Sequence, residues 1–373
     1  MSEQTREAGP VLTERPDGRD VAATAEEAAR MPVPPLLVLD AVTAFLDERG
    51  LGDGPVEWAR IGDGQSNATF LLRRGGVEAV LRRGPRPPLP PSAHDMLREA
   101  RIQLLLRDAG ASVAEVLAVC EDPEPLGVPF YLMRRLHGDV ITDEVPARFD
   151  TARDRRGVAE AAVDALAALH AIDVREGPLA GYGRPEGYLE RQVSRFAGLW
   201  GKVSRRELPL VGELAERLAA TMPATQRHAL VHGDFRLGNL MFGTGRRPEV
   251  AAVLDWELST LGDPLADLGY LVATWSEASG GVPTTMELSP VTARPGFLDR
   301  AGLAERYERL TGADASRLGW YRALALWKSA VFSEAIYTRW LDGERPDDTT
   351  FAPGLEAGVP RLLEVAAEAL AER

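Results

Sequence analysis

The spacing of apolar and polar positions changes partway along the chain. Between Val56 and Val80 the apolar residues fall in short stretches broken by glycine. Glu57-Trp58-Ala59-Arg60-Ile61 runs into Gly62-Asp63-Gly64-Gln65-Ser66-Asn67, Ala68-Thr69-Phe70-Leu71-Leu72 runs out of it, and Gly75-Gly76 precedes Glu78-Ala79-Val80-Leu81-Arg82. This predicts a strand, a glycine turn, a second strand, another turn and a third strand. The prolines from Pro85 to Pro91 mark a loop. Asp95 to Asp108 reads as a helix with Met96, Leu97, Ala100, Leu104 and Leu105 to one side, and Val128 to Leu136 is β-rich. From about residue 150 the period lengthens. Val158, Ala162, Leu166 and Leu169 predict a helix over Arg156 to Ile172, and Trp320, Leu324, Trp327, Val331 and Ala335 predict a long one over Trp320 to Trp340. Arg361 to Glu372 reads as a short amphipathic helix. At the other end, residues 1–35 are polar, charged and punctuated by proline, which predicts a flexible tail. Leu36 to Arg49 then suits a short helix closed by Gly50.

The pattern divides the chain into a tail (1–35), a β-rich lobe with one helix (36–136) and a mostly helical lobe (137–373), with a hinge near residues 135–138. The class is α+β. A chain of 373 residues, 45% hydrophobic and 27% charged, has the composition of a globular protein with a full core. Its net charge of −13 argues against a nucleic-acid partner, which needs a basic face. No apolar run is long enough to predict a membrane span, and MSEQTREAGP lacks the basic and apolar regions of a signal peptide. The single cysteine, Cys120, lies in the apolar run Val116 to Cys120 and fits a buried strand in a reducing compartment, so a cytoplasmic location is expected.

The sharpest chemical signal is Leu230-Val231-His232-Gly233-Asp234-Phe235-Arg236-Leu237-Gly238-Asn239. The spacing from Asp234 to Asn239 matches a kinase catalytic loop, in which the aspartate accepts the hydroxyl proton and the asparagine binds magnesium. Ala229-Leu230-Val231 and Leu240-Met241-Phe242 are expected to flank it as strands. Downstream, Ala251-Ala252-Val253-Leu254 ends in Asp255. A hairpin through Gly243 to Arg247 would return that carboxylate beside Asn239. A carboxylate and an amide oxygen suit Mg2+, a hard cation that also takes phosphate oxygens.

His232-Gly233-Asp234 with Asn239, Val253-Leu254-Asp255-Trp256-Glu257 and Gly262-Asp263-Pro264-Leu265-Ala266-Asp267-Leu268 together resemble the aminoglycoside phosphotransferase and choline kinase superfamily. The resemblance is closest to the subgroup similar to the kinase-like domains associated with acyl-CoA dehydrogenases. Gly62 to Phe70, Val80 to Gly84, Leu166 to His170 and Gly181 to Leu189 extend it over most of residues 55 to 275. It implies a protein-kinase-like two-lobed fold with a small β-rich N-lobe and a larger mostly helical C-lobe, ATP (or GTP) and Mg2+ as cofactors, and a His232 that braces the catalytic loop. Asp267 either orders that loop or serves only as an acid in the first turn of a helix.

At the nucleotide end, Gly62-x-Gly64-x-x-Asn67 approximates a phosphate-covering loop, with Gly64 letting the backbone approach and Ser66 and Asn67 as donors. Where a protein kinase has lysine, this chain has Arg82, which can bind phosphate bidentately. Glu99, on the following helix, is expected to hold Arg82, the alternative being a surface ion pair. Strand alternation sends Arg83 to the opposite face. Adenine is expected at Met133 to Leu136.

The acceptor pocket falls to the helical part. Tyr188, Arg191 and Arg195 share a helical face that could hold an anion or simply form exposed salt bridges, and Trp200, Glu257, Tyr270 and Trp275 are further candidates. The function expected is transfer of the γ-phosphoryl group of ATP to a hydroxyl of a small molecule, by analogy a hydroxyacyl metabolite. The alternatives are an antibiotic or aminoglycoside kinase and a noncatalytic nucleotide-binding module. A protein kinase is disfavoured because no D-F-G or A-P-E is present. The C-terminal helices are left to pack either on the pocket or on a second copy as a homodimer.

Overall fold

The computed structural model describes residues 10–61, 67–87, 94–280, 282–344 and 348–372. Two compact units emerge: Met1–Asp108 with Val113–Leu136, and Ala109–Ser112 with His137–Arg373.

The first unit contains β1 (Val21–Ala22), α1 (Ala25–Arg30), β2 (Leu37–Val38), α2 (Leu39–Glu48), β3 (Glu57–Arg60), β4 (Ala68–Arg74), β5 (Val77–Arg83), α3 (Met96–Asp108), β6 (Val116–Cys120) and β7 (Phe130–Arg134). Five strands form an antiparallel sheet in the order β3-β4-β5-β7-β6. Alternation along the strands assigns the faces. Phe70, Leu81, Phe130 and Leu132 pack with Val42, Phe45 and Leu46 of α2. Tyr131 faces the other way, onto Met96 and Ala100 of α3.

The segment that composition marks as a flexible tail carries structure from Thr13 onward. Thr13 exchanges backbone hydrogen bonds with Trp58, and β1 pairs with β2. The cause is a set of side-chain anchors that local composition does not report. Asp17 Oδ1 accepts from the amides of Arg19, Asp20 and Val21, each at 2.8 Å. Arg83, fully buried on the α2 face of the sheet, donates to the carbonyls of Leu36 at 2.9 Å and Leu126 at 3.0 Å.

The second unit contains β8 (Asp139–Val140), α4 (Ala152–His170), α5 (Tyr188–Val203), α6 (Leu210–Ala220), β9 (Ala229–Val231), β10 (Leu240–Phe242), β11 (Val250–Val253), β12 (Thr260–Gly262), α7 (Leu265–Thr274), α8 (Arg300–Thr311), α9 (Leu318–Leu341) and α10 (Phe351–Ala371). The long helix α9 buries Trp320, Tyr321, Leu324, Trp327 and Val331 and packs on α7 and α10. Helix α10 is longer than the expected Arg361 to Glu372, because it continues through Pro360. Proline and glycine mark a break in the sequence, but burial of Leu355, Val359, Leu362 and Leu363 outweighs their propensity. Among the described residues no helix is long and apolar enough to cross a membrane.

Candidate active site

The loop from His232 to Asn239 leaves one small sheet and enters another. Strand β9 pairs with β12, whereas β10 pairs with β11 and β8. The backbone ladders therefore do not hold the loop, and side chains do. The carboxylate of Asp267 accepts from the His232 amide at 2.6 Å and the Gly233 amide at 2.8 Å, and from His170 Nε2 at 3.2 Å. Burial pushes the Asp267 carboxyl up, but the hydrogen bond and charge of His170 and the Gly233 amide carry it below its ordinary value. The buried His232 ring accepts the Asp234 amide at Nδ1 (3.2 Å) and donates from Nε2 to the Leu254 carbonyl (2.9 Å). Those two bonds require the neutral ring with its proton on Nε2. Gly233 has φ +89°, and a Cβ there would fall 2.9 Å from Leu258, so only glycine fits the turn.

This frame presents Asp234. Asn239 Nδ2 donates to both the Asp234 carbonyl and Asp234 Oδ2 at 2.8 Å. Arg236 Nε stands 3.6 Å from Oδ2. Oδ1 is buried without a partner of good hydrogen-bond geometry, and Tyr270 lies beside the carboxylate. Burial, then the Asp234 charge and hydrogen bond, raise the Tyr270 hydroxyl well above its usual pKa, so it remains a neutral donor.

The hairpin β10–β11 brings the second candidate carboxylate back. The Leu254 amide donates to the Asn239 carbonyl at 2.8 Å, and Asp255 follows with φ +65°, an uncommon conformation for a residue with a Cβ. Asn239 uses both amide hydrogens on Asp234, which leaves its Oδ1 as an acceptor. Among the described residues no three His, Cys, Asp or Glu side chains gather as a protein-only metal cage. An amide oxygen and one carboxylate fit Mg2+, which keeps waters and binds phosphate oxygens alongside one or two protein ligands.

In the first unit, Arg82 NH2 lies 3.2 Å from Glu99 Oε1, and Glu99 is buried, so this is not a surface pair. Tyr131, opposite Arg82 in the β5–β7 register, donates its hydroxyl to Glu99 at 3.1 Å and accepts from Gln103 at 2.8 Å. Met133, two positions on, is part-buried against Met96, Ala100 and Tyr131. Asn67 Oδ1 meets His94 Nδ1 at 2.9 Å. Gly64 and Ser66 lie outside the described residues. Arg83 is committed to backbone carbonyls, and burial, then Arg86, lower its pKa to about 10.

The acceptor candidates separate. Tyr188 is buried with its ring where a Cβ on Gly262 would be, and Arg191 donates to the Glu186 and Arg184 carbonyls. Trp275 is buried and donates to the Leu298 carbonyl at 2.8 Å. Those three are structural, whereas Tyr270 reaches Asp234. Sequence reasoning did not single out Arg236 or Tyr131. Arg236 stands two residues from Asp234 inside the loop motif, the one signal that could have found it. Tyr131 shows itself only through strand register.

The chain matches the phosphotransferase enzyme family over residues 57–321 and belongs to it. It is 36% identical over 297 residues to acyl-CoA dehydrogenase family member 11 of Gallus gallus, a match covering 78% of this chain and 38% of that relative. The chain thus spans about two fifths of the length of that curated relative. Among solved structures, a Ralstonia eutropha protein provisionally described as an aminoglycoside phosphotransferase superposes with a TM-score of 0.72 at 29% identity, covering 89% of this chain and 97% of the other. The fold is also shared with aminoglycoside phosphotransferase APH(4)-Ia, solved as a variant in ternary complex with ADP and hygromycin B. That match has a TM-score of 0.54 at 19% identity and covers 87% and 98% of the two chains. The protein-kinase-like α+β fold and its phosphotransferase class follow.

Proposed function

We propose that this phosphotransferase is a small-molecule kinase that moves the γ-phosphoryl group of ATP to a hydroxyl, with a hydroxylated acyl metabolite as acceptor. The observation that carries the reading is the Asp234 carboxylate. One oxygen is held by Asn239, Oδ1 has no well-aligned partner, and the loop beneath is tied to Asp267. Such a group is oriented to take a proton from an acceptor hydroxyl. The acceptor oxygen bonds to the γ-phosphorus as the bond to the β–γ bridging oxygen breaks, ADP leaves, and the hydroxyl proton goes to Asp234. Tyr270 and Asn239 hold the carboxylate in place, and Arg236 supplies positive charge beside it. Asn239 Oδ1 and Asp255 would hold Mg2+, which neutralises phosphate charge when bound. Arg82, fixed by Glu99 and Tyr131, is the side chain proposed to position the phosphates, with Gly64, Ser66 and Asn67 covering them. Adenine is assigned to the backbone at Met133 to Leu136. Positioning and charge account for most of the catalysis in this chemistry.

ATP is favoured as donor by the ADP complex of the structurally similar APH(4)-Ia. The acyl lean comes from the kinship to an acyl-CoA dehydrogenase family member. A noncatalytic module would draw support only from arginine in place of lysine, and a part-buried Arg82 paired with Glu99 can perform the same task. The test is acceptor-dependent ADP release with Mg-ATP across hydroxyacyl thioesters, amino alcohols, sugars and aminoglycosides. Asp234→Asn is expected to lower turnover on any hit by about 10²–10⁴-fold while sparing nucleotide binding. Full turnover in the variant would refute the role of Asp234.

A further inference from the structure

His170 ends α4, and its ring is the third donor on Asp267, beside the amides of His232 and Gly233. The Asp267 carboxyl lies below its ordinary value, so it is ionised and only accepts. The ring nitrogen that faces it must therefore carry a proton. Asp267 takes any donor, however, and does not by itself choose how the ring is turned. Half a turn about the Cβ–Cγ bond exchanges Nδ1 with one ring carbon and Nε2 with the other.

The second nitrogen of the ring supplies the choice. His170 Nδ1 stands 2.7 Å from the hydroxyl of Tyr307, 137 positions away on α8. The two rings meet edge to face, with centroids 5.8 Å apart and planes at 82°. Tyr307, His170 and Asp267 are all buried, so a turned ring would lose two hydrogen bonds where no water replaces them. Burial pushes the Tyr307 hydroxyl up to about 12, Arg227 opposing, and the hydroxyl keeps its proton. A hydroxyl both donates and accepts, so it holds Nδ1 in either protonation state of the imidazole.

Helix α8 is itself fixed on α4. Asp299 caps it, accepting from the Gly302 amide at 2.8 Å. Arg306 grips the outside of α4 at Asp164, Nε and Nη2 each donating at 2.7 Å. The next residue, Tyr307, enters the core at the end of the same helix. Three hydrogen bonds in a row, of 2.7, 3.2 and 2.6 Å, then lead from α8 through His170 and Asp267 to the amide of His232, two residues before Asp234.

We propose that Tyr307 is a positioning residue for phosphoryl transfer: by gripping His170 Nδ1 it keeps Nε2–H on Asp267, and through that carboxylate it sets the loop on which Asp234 stands. Tyr307 acts through His170 and not on the substrate. Its role in turnover rests on the kinase reading, whereas its hold on the loop does not.

Tyr307→Phe keeps the ring and removes the hydroxyl. Hydrogen exchange read by mass spectrometry should quicken about tenfold in the peptide that spans His232 to Asn239, with peptides of α9 unchanged. On an acceptor that the wild type phosphorylates, kcat should fall about tenfold and KM for ATP should hold. In a His170→Leu background there is no imidazole to grip, so adding Tyr307→Phe should change kcat by no more than about twofold. The proposal is overturned if the loop peptide does not respond, if exchange quickens evenly along the whole chain, if kcat holds in Tyr307→Phe, or if kcat falls as far in the His170→Leu background as in the wild type. Quickened exchange confined to the loop, in a protein that phosphorylates no acceptor, would uphold the grip on the loop and remove the kinase reading.

Discussion

Replacement of Asp267 by asparagine isolates what holds the candidate catalytic loop. Three donors converge on the carboxylate: the His232 and Gly233 amides at 2.6 and 2.8 Å and His170 Nε2 at 3.2 Å. Asparagine has the same shape but one acceptor oxygen, so its Nδ2 must face at least one of those donors. A buried donor left unsatisfied costs about 1–3 kcal/mol, and each surviving bond falls from the charged range of about 1.5–3 kcal/mol toward about 1. The total is about 2–7 kcal/mol. At about 2–4 °C per kcal/mol for a domain of this size, Tm should fall by roughly 10 °C.

The loop itself should loosen, so kcat should drop along with stability, by at least the factor of about 10² that a 1 Å misplacement costs. The pH dependence has a definite sign. The folded Asp267 carboxyl lies below its ordinary value of 3.8, so its stabilisation is fully present above that pH and is lost as pH falls through the depressed value. The stability gap between wild type and variant, from urea unfolding at a series of pH values, should be widest above about pH 4 and close below it. A variant with unchanged Tm and unchanged kcat on an acceptor that the wild type phosphorylates would show that the loop is held by something else.

Two further changes probe the supports on either unit. Tyr131→Phe removes the hydroxyl shared by Glu99 and Gln103, so stability should fall by about 1–3 kcal/mol and ATP affinity, by titration calorimetry, several-fold as Arg82 loses its fixed partner. Unchanged affinity would mean that Arg82 does not need Glu99 held in place. Gly262→Ala places a methyl 2.4 Å from the Tyr188 ring, which should cost about 1–3 kcal/mol as overpacking. Adding Tyr188→Leu should restore part of that in thermal melts, and an undisturbed Gly262→Ala protein would refute the packing argument.

The candidate catalytic loop could be picked out in the sequence because its residues stand close together. Asp234, Asn239 and Asp255 stand at spacings that a strand, a loop and a hairpin convert directly into proximity. Arg82 and Glu99 were legible for a similar reason, since alternation chooses the face of β5 and helical position places Glu99 over it. What escaped was set by register or by contacts distant in sequence. Tyr131 stands beside Arg82 and Glu99 because β7 pairs with the distant strand β5 as well as with its sequence neighbour β6. The N-terminal segment is fixed by Arg83, 47 positions from Leu36, and by Asp17, whose turn looks like ordinary polar tail. Pro360 and the glycines before it signal a break that burial of α10 overrides. The helical face of Tyr188, Arg191 and Arg195 was correctly periodic, but periodicity does not say that Tyr188 is buried and that Arg191 turns back to its own loop.

The same distinction explains why the loop is built from hydrogen bonds. Its two flanking strands belong to different sheets, so packing and ladder bonds fix each end without fixing the stretch between. That stretch includes a left-handed glycine at 233, and Asp255 beyond the hairpin is held at positive φ, conformations that persist only where the surroundings impose them. Asp267 and the neutral His232 impose them by bonding main-chain groups of the loop and of Leu254 together. One buried carboxylate, through His232, thereby couples the strand that ends at Val231 to the strand that ends before Asp255, on either side of Asp234. A loop of this kind arrives at the reaction with its charges already oriented, and that prior orientation is where electrostatic catalysis gains its advantage over water.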